Sequence, residues 1–278
     1  MKLSVCIGVY NAEDVIIETL TAIKNQTYTD FECILVDDHS DDSTHSLIID
    51  FIKTDDRFKF FLNLTDTAKP YVDSHNKSYE LGSAEYLLRL DQDDIPKVDM
   101  FEKFVKFMDE HPEYDMVSSG FQNINGKQIS DLVDERRDRR EDDILHKYEI
   151  EEFVYDYQID NALWANQCSC IRKSFLDHHN VKFEEAKLGD VMFWWRMLSN
   201  GANPGFIPEK LLYYRNYEYS SSHTTLYCIP TNDVKYLYTV TSLKMNAMYV
   251  WYKRTNKMCY KYAFDKYKYV VDKLTKMI

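Results

Sequence analysis

The 278-residue chain carries 34 Lys and Arg against 46 Asp and Glu, a net charge of −12, and is 45% hydrophobic and 29% charged. Those proportions exclude general disorder and fit a packed core, long enough for one large α/β domain with an appendage. The acidic balance argues against a nucleic-acid partner, which rewards clustered Lys and Arg, and means that a phosphorylated ligand would need a metal ion between itself and the carboxylates.

Leu3 to Val9 is a nearly continuous apolar run rich in β-branched residues, as in a strand covered on both faces. Ile16, Leu20 and Ile23 then recur at helical spacing within Glu13 to Lys24, and Phe31 to Val36 reads as a second buried strand. The alternation continues with a helix around Leu47, Ile48 and Phe51, a strand from Phe58 to Leu64, a helix from Asn76 to Leu81 and a strand from Glu85 to Leu90. Alternating elements with short connections predict a Rossmann-like, mostly parallel sheet flanked by helices; GxGxxG is absent, so the nicotinamide-binding form is not supported.

After Pro96, the residues Phe101, Phe104, Val105 and Met108 mark an amphipathic helix, followed by a strand around Met116 to Ser119 and a hairpin at Asn125-Gly126. The charged run Asp131 to Asp143 reads as a solvated loop or helix face. Asp190 to Asn200 is helical in pattern with Gly201 as its stop, and Leu211 to Tyr214 is a strand. On that helix Trp194 and Trp195 are not expected to face the core together, which leaves one to line a ligand site, although partial burial is the commoner fate of Trp. The last fifty residues carry Tyr and Lys at helix-compatible spacing, a tail that could pack on the core, pair with another subunit or lie at a membrane surface.

Six cysteines without a CxxC pair suggest free thiols in a reducing compartment; Cys6 and Cys33 lie in strand-like runs, and Cys168 and Cys170 flank one residue. The amino terminus MKLSVCIGVYN lacks the regions of a signal peptide, and no window approaches the ~18 apolar residues of a spanning helix, so a cytoplasmic protein with at most peripheral membrane contact is expected. The histidines His39, His111, His146, His178 and His179 read as surface or capping residues.

In open α/β sheets ligands bind beyond the carboxyl ends of the strands. Tyr10-Asn11 follows the first strand here, Asp37-Asp38-His39-Ser40 the second, and Asp91-Gln92-Asp93-Asp94 the strand ending at Leu90. Each alone could be a cap or turn, but together they would face one crevice. Asp91 and Asp93 suit a magnesium or manganese ion bound to a diphosphate, because hard cations prefer carboxylate oxygens and keep positions for phosphate and water.

Three stretches carry a resemblance: SVCIGVYNAEDVIIETLTAIKNQTYTDFECILVDDHSDDST, NKSYELGSAEYLLRLDQDD and, more weakly, KFEEAKLGDVMFWWRML. They span most of residues 3 to 200, and the chain resembles a family 2 glycosyltransferase of the GT-A fold. That resemblance implies an inverting transfer of a sugar from a nucleotide diphosphate, expected to be UDP, to a hydroxyl of a saccharide or glycan acceptor. It implies base contacts from Gly8, Val9, Tyr10, Asn11 and Asp38 with Asp37 adjacent, ribose or metal contact from Asp91, metal binding by Asp93 and a general base at Asp190. It further implies a nucleotide-sugar half over residues 1–115, an acceptor half over 116–225 and a helical extension over 226–278.

The chain departs from the family's commoner residues at Gly8 (Pro), His75 (Arg), Ser78 (Gly), Gly189 (Glu) and Tyr217 (His), with His223 as a substitute at the last; Tyr214 and Arg215 match. Two other readings stay open: a non-catalytic nucleotide- or saccharide-binding module, and a sugar-phosphate nucleotidyltransferase. Tyr10-Asn11-Ala12-Glu13 stands where the latter would carry a Gly-rich phosphate loop. A receiver-like signalling domain is set aside, because its paired aspartates would follow the first strand rather than the second.

Overall fold

The computed structural model describes residues 1–64, 70–125, 169–184, 189–216, 234–255 and 258–276. The charged run Asp131 to Asp143, Gly126 of the expected hairpin, and His146, Cys168, Tyr217 and His223 lie outside them. The strands are β1 (Leu3–Val9), β2 (Phe31–Asp37), β3 (Phe58–Leu62), β4 (Tyr86–Arg89), β5 (Ile95–Pro96), β6 (Met116–Asn125), β7 (Ser169–Arg172) and β8 (Pro204–Asn216). The helices are α1 (Ile16–Lys24), α2 (Thr44–Ile52), α3 (Pro70–Leu81), α4 (Met100–Glu110), α5 (Lys173–His179), α6 (Gly189–Ser199), α7 (Val234–Thr255) and α8 (Met258–Leu274).

The eight strands form one sheet in the order β3-β2-β1-β4-β7-β6-β8-β5. β1 pairs in parallel with β2 and β4, β2 with β3, and β6 with β8, while β7 runs against β4 and β6 and β5 against β8. Every strand but β5 and β7 therefore points the same way, which is the mostly parallel sheet that the alternation predicts. The chain moves outward from β1 to β2 and β3, then returns to place β4 on the other side of β1, so the order reverses between β1 and β4. A crevice opens at such a reversal, because the flanking connections leave in opposite directions.

The strands of this half are apolar on both faces for a visible reason. Leu3, Val5, Ile7 and Val9 of β1 belong to a core cluster with Ile16, Leu20 and Ile23 of α1 and Phe101, Phe104, Val105 and Met108 of α4. Cys6 between them faces the opposite cluster, with Val72 and Tyr79 of α3, Phe175 and Leu176 of α5, Phe193 to Trp195 of α6 and Ala247, Met248 and Trp251 of α7. Cys6, Cys33 and Cys170 are buried free thiols, pushed up in pKa by burial.

Trp194 and Trp195 are both buried, at 1% and 0% exposure, which corrects the expectation that only one could be. α6 is covered on more than one side: Phe193 meets Tyr79 of α3 at 5.8 Å between ring centroids, and the Lys244 ammonium of α7 lies 5.3 Å over the Trp195 ring. Neither indole is left to stack on a sugar. Gly201 ends α6 as expected, at a φ of 90° that favours glycine, with the N–H of Gly201 donating to Leu198 and that of Ala202 to Met197.

Candidate active site at the strand ends

β1, β2 and β4 are parallel, so Tyr10-Asn11, Asp38 to Ser40 and Leu90 to Asp94 all leave the same edge of the sheet. β8 runs in the same direction and brings Arg215, its penultimate residue, to that edge as well. Hydrogen bonds then join these segments into one rim.

Gln92 makes the link across the β1/β4 reversal. Its Oε1 accepts the Tyr10 N–H at 2.7 Å, and its Nε2 donates to the Tyr10 carbonyl at 3.0 Å. Both peptide groups of Tyr10 are thereby fixed, while the ring stands 53% exposed at the mouth. On the other side Asn11 accepts φ = 46°, a left-handed value Asn tolerates better than most residues, and exchanges hydrogen bonds with Asp41: Nδ2 to Oδ1 at 2.7 Å, and Asp41 N–H to Asn11 Oδ1 at 2.9 Å. The Asn11 N–H donates to Ser40 Oγ.

The two aspartates after β2 have different surroundings. Asp37 is 1% exposed and closes its own turn: Oδ1 accepts from the N–H and Oγ of Ser40 at 3.0 and 2.6 Å, and Oδ2 lies 3.6 Å from His45 Nδ1. It holds the loop in which His39 adopts φ = 64°, a strained value for that residue. Asp38, 4% exposed, accepts from Asn63 Nδ2 at 2.8 Å. Burial pushes its carboxyl up, against opposing hydrogen bonds from Asn63 and Ser74.

In the segment after β4, the Asp91 carboxylate is 28% exposed. Arg89, itself buried, donates Nη2 to Asp91 Oδ1 at 2.7 Å, and His75 Nε2 of α3 stands 4.0 Å from the same oxygen. Asp94 points inward at 0% exposure, and burial, reinforced by the charges of Asp93 and Asp91, holds its carboxyl well above the usual carboxylate range. Arg215, 1% exposed, secures the segment from below: its N–H donates to Asp94 Oδ1 at 3.2 Å, its Nε to the Asp93 carbonyl at 2.9 Å, and its Nη2 to Glu18 Oε2 of α1 at 2.6 Å. With its backbone clamped, the side chain of Asp93 remains partly exposed.

Gly8 lies where α3 comes closest to β1. A Cβ there would fall 2.8 Å from both His75 Nδ1 and Ser74 Oγ, so the absence of a side chain is what lets His75 reach Asp91. His75 in turn sits 5.3 Å from the Phe183 ring, which stacks on Phe193 of α6 at 4.3 Å. Asn76 fastens the same contact, donating to the Phe183 carbonyl at 2.8 Å and accepting its N–H at 2.9 Å. Asp190 is in the first turn of α6, partly exposed, and Arg196 of that helix pairs with Glu184 at 3.0 Å.

Among the described residues no three His, Cys, Asp or Glu side chains converge to enclose a metal ion. Asp91 and Asp93 are both partly exposed, with Asp91 Oδ1 already accepting from Arg89; a magnesium or manganese ion there would take one or two carboxylates and complete its shell with phosphate and water. Sequence reasoning had singled out the aspartates and Tyr10-Asn11. It missed the parts of Gln92, Arg89 and Arg215, although Gln92 between acids at a strand end, and Arg215 after Tyr214, were signals of them.

The family model for Glycosyl transferase family 2 matches residues 4–177. An uncharacterized glycosyltransferase of Haemophilus influenzae is 28% identical over 214 residues, 76% of this chain and 64% of that protein. The GalNAc(5)-diNAcBac-PP-undecaprenol beta-1,3-glucosyltransferase of Campylobacter jejuni is 36% identical over 93 residues, 34% of this chain and 30% of its own length. The chain thus spans less than two thirds of either relative. Among solved structures, S. aureus TarS in complex with UDP-GlcNAc aligns with a TM-score of 0.70 at 20% identity, covering 88% of this chain and 67% of that one. The mannosyltransferase PcManGT of Pyrobaculum calidifontis, in complex with GDP-Man and Mn2+, aligns at 0.56 and 15% identity over 89% and 63%. At these identities the likeness establishes the fold, that of GT-A glycosyltransferases.

Proposed function

The chain belongs to glycosyl transferase family 2, and from that premise we propose that it is an inverting transferase that moves a sugar from a nucleoside diphosphate to a hydroxyl of a saccharide or glycan acceptor. The observation that carries the reading is the rim joined across the β1/β4 reversal by Gln92 and Tyr10, with the carboxylates of Asp91 and Asp93 partly exposed along it. The nucleotide would lie against Gly8 to Asn11 and Asp38, with UDP favoured by the likeness to a protein that holds UDP-GlcNAc.

In the proposed reaction Asp190 takes the proton of the acceptor hydroxyl as its oxygen attacks the anomeric carbon from the face opposite the leaving group. The bond from that carbon to the diphosphate oxygen breaks, its electron pair leaves with the nucleoside diphosphate, and the configuration inverts. Asp91 and Asp93 would hold a divalent cation that supplies positive charge to the departing diphosphate. Arg89 fixes the orientation of Asp91, and Arg215 that of the Asp93 backbone. Residues 116–225 would carry the acceptor half.

Thermal stabilisation by a panel of nucleoside diphosphates and nucleotide sugars, with and without manganese, tests the reading, since a ligand that binds the folded state raises the melting point. A metal-requiring shift with one nucleotide, lost in Asp93→Ala, is expected. Binding without transfer to any acceptor would favour a non-catalytic nucleotide-binding module instead.

A further inference from the structure

The charge of this protein is segregated along the chain. Residues 234–278 carry ten Lys and Arg against two Asp, a net +8, while residues 1–233 carry 24 against 44, a net −20. The same segment holds eight of the 22 Tyr. Its described residues form α7 and α8, with α7 packed on α6 and α8 packed on α7.

α8 is two-faced. Tyr260 and Ala263 belong to the buried cluster, with Phe264 and Tyr267 packed against it, and Val271 is buried on the same helical stripe. The other face exposes Tyr269, Val270, Lys273 and the Lys268–Asp272 ion pair of 2.8 Å, Asp265 is exposed as well, and Lys276 stands just past the helix end. Tyr269 is 60% exposed and Val270 37%. The Lys273 ammonium lies 4.4 Å over the Tyr269 ring, and on α7 the Lys253 ammonium lies 5.4 Å over that of Tyr249, itself 45% exposed. Each pair offers an aromatic body with a cation beside it, a combination that suits the boundary between headgroups and acyl chains. No helix among the described residues is long and apolar enough to cross a membrane, so contact through this segment would be lateral.

We propose that the outer face of the α7–α8 pair docks on an anionic phospholipid bilayer. The acidic remainder is repelled by such a surface while the basic pair is drawn to it, so charge segregation orients the molecule as well as attracting it. The exposed Tyr and Val favour a bilayer over a soluble polyanion, which would neutralise the lysines but leave those side chains in water. The proposal does not depend on the transferase reading, and its test does not use activity.

Flotation of the full chain is compared on vesicles of phosphatidylcholine alone and of phosphatidylcholine with phosphatidylglycerol. Binding to the second only is expected, weakened by salt and reduced about tenfold or more in K268E/K273E/K276E. Y269S/V270S is expected to lose the part of the binding that survives high salt. Melting points near the parent's certify that both variants fold. Equal binding to both vesicles, binding to neither, or unchanged binding by the charge-reversed variant overturns the proposal. So does equally tight binding of soluble polyphosphate, or a dimer dispersed by the same charge reversals in the absence of vesicle binding, which would make the face a contact between copies.

Discussion

The imidazole of His75 occupies the volume that a side chain at residue 8 would need: a Cβ on Gly8 would lie 2.8 Å from His75 Nδ1. Two of the chain's departures from its family's commoner residues are therefore one contact, and the glycine accommodates the histidine that faces Asp91. Gly8→Ala is expected to cost about 1–3 kcal/mol, the usual range for overpacking a close contact. In the Gly8→Ala/His75→Ala double variant the two effects should not add, because removing the ring also removes the clash with it and leaves only that with Ser74 Oγ. Chemical denaturation of the four proteins measures this; strict additivity would mean that the two residues are not coupled.

Gln92 holds both peptide groups of Tyr10. Gln92→Ala removes both bonds at an exposed position, so stability should fall by no more than about 1–2 kcal/mol. Donor affinity should fall several-fold, since the two sides of the rim lose their tie. Calorimetric titration with the nucleotide identified by thermal stabilisation reads the second effect, and unchanged affinity would show that the tie does not shape the donor site.

Arg215 donates to groups of two segments, Glu18 of α1 and Asp93-Asp94 after β4. Arg215→Met keeps the stem but leaves Glu18 without that partner and Asp93 without its clamp. Breaking a fully buried ion pair from one side typically costs about 3–5 kcal/mol. Glu18 is 32% exposed, so the expected loss of unfolding free energy is below that range, together with weaker donor binding.

Glu32, 1% exposed at the far edge of the sheet, accepts from Ser4 and Ser83 on one oxygen and pairs with Lys59 at 2.6 Å on the other. Burial alone would raise its pKa, but the hydrogen bonds from Lys59, Ser83 and Ser4 prevail and hold it at about 2, below the ordinary 4.5. A depressed carboxylate contributes stability above the unfolded pKa and loses it as the pH falls towards the folded one. Glu32→Gln should therefore cost on the order of 2–3 kcal/mol at neutral pH. The gap between parent and variant should close as pH falls from about 4.5 to about 2, with donor binding at neutral pH unchanged.

Asp190→Asn separates the proposed base from a helix-capping role. Donor binding and melting point should stay near the parent's while transfer falls about 100-fold or more, the scale of general-base catalysis. Transfer at the parent rate would move the base elsewhere.

The first two strands and the helix between them were legible in the sequence because each is a local pattern: a buried parallel strand is an apolar run, and α1 repeats its apolar residues every turn. α3 was read six residues short, starting at Asn76 rather than Pro70. Its buried side includes Ser74, His75 and Ser78, so a search for apolar periodicity passes over it. β5 has two residues and exists only through its pairing with β8, and the four residues of β7 lie between strands distant in the chain. Such elements are defined by partners, which no local pattern contains.

The same division holds at the site. By itself the sequence determined which residue types stand at the strand ends, since Asp38, Asp91 and Asp93 directly follow patterns that mark those strands. Only the tertiary structure decided which of them are buried, which are clamped and which stay open. Gln92 reaches Tyr10 across 82 residues and Arg215 reaches Asp93 across 122. Contacts of that span arise from the order of the strands in the sheet, which is selected by the burial of both faces together rather than by any one segment.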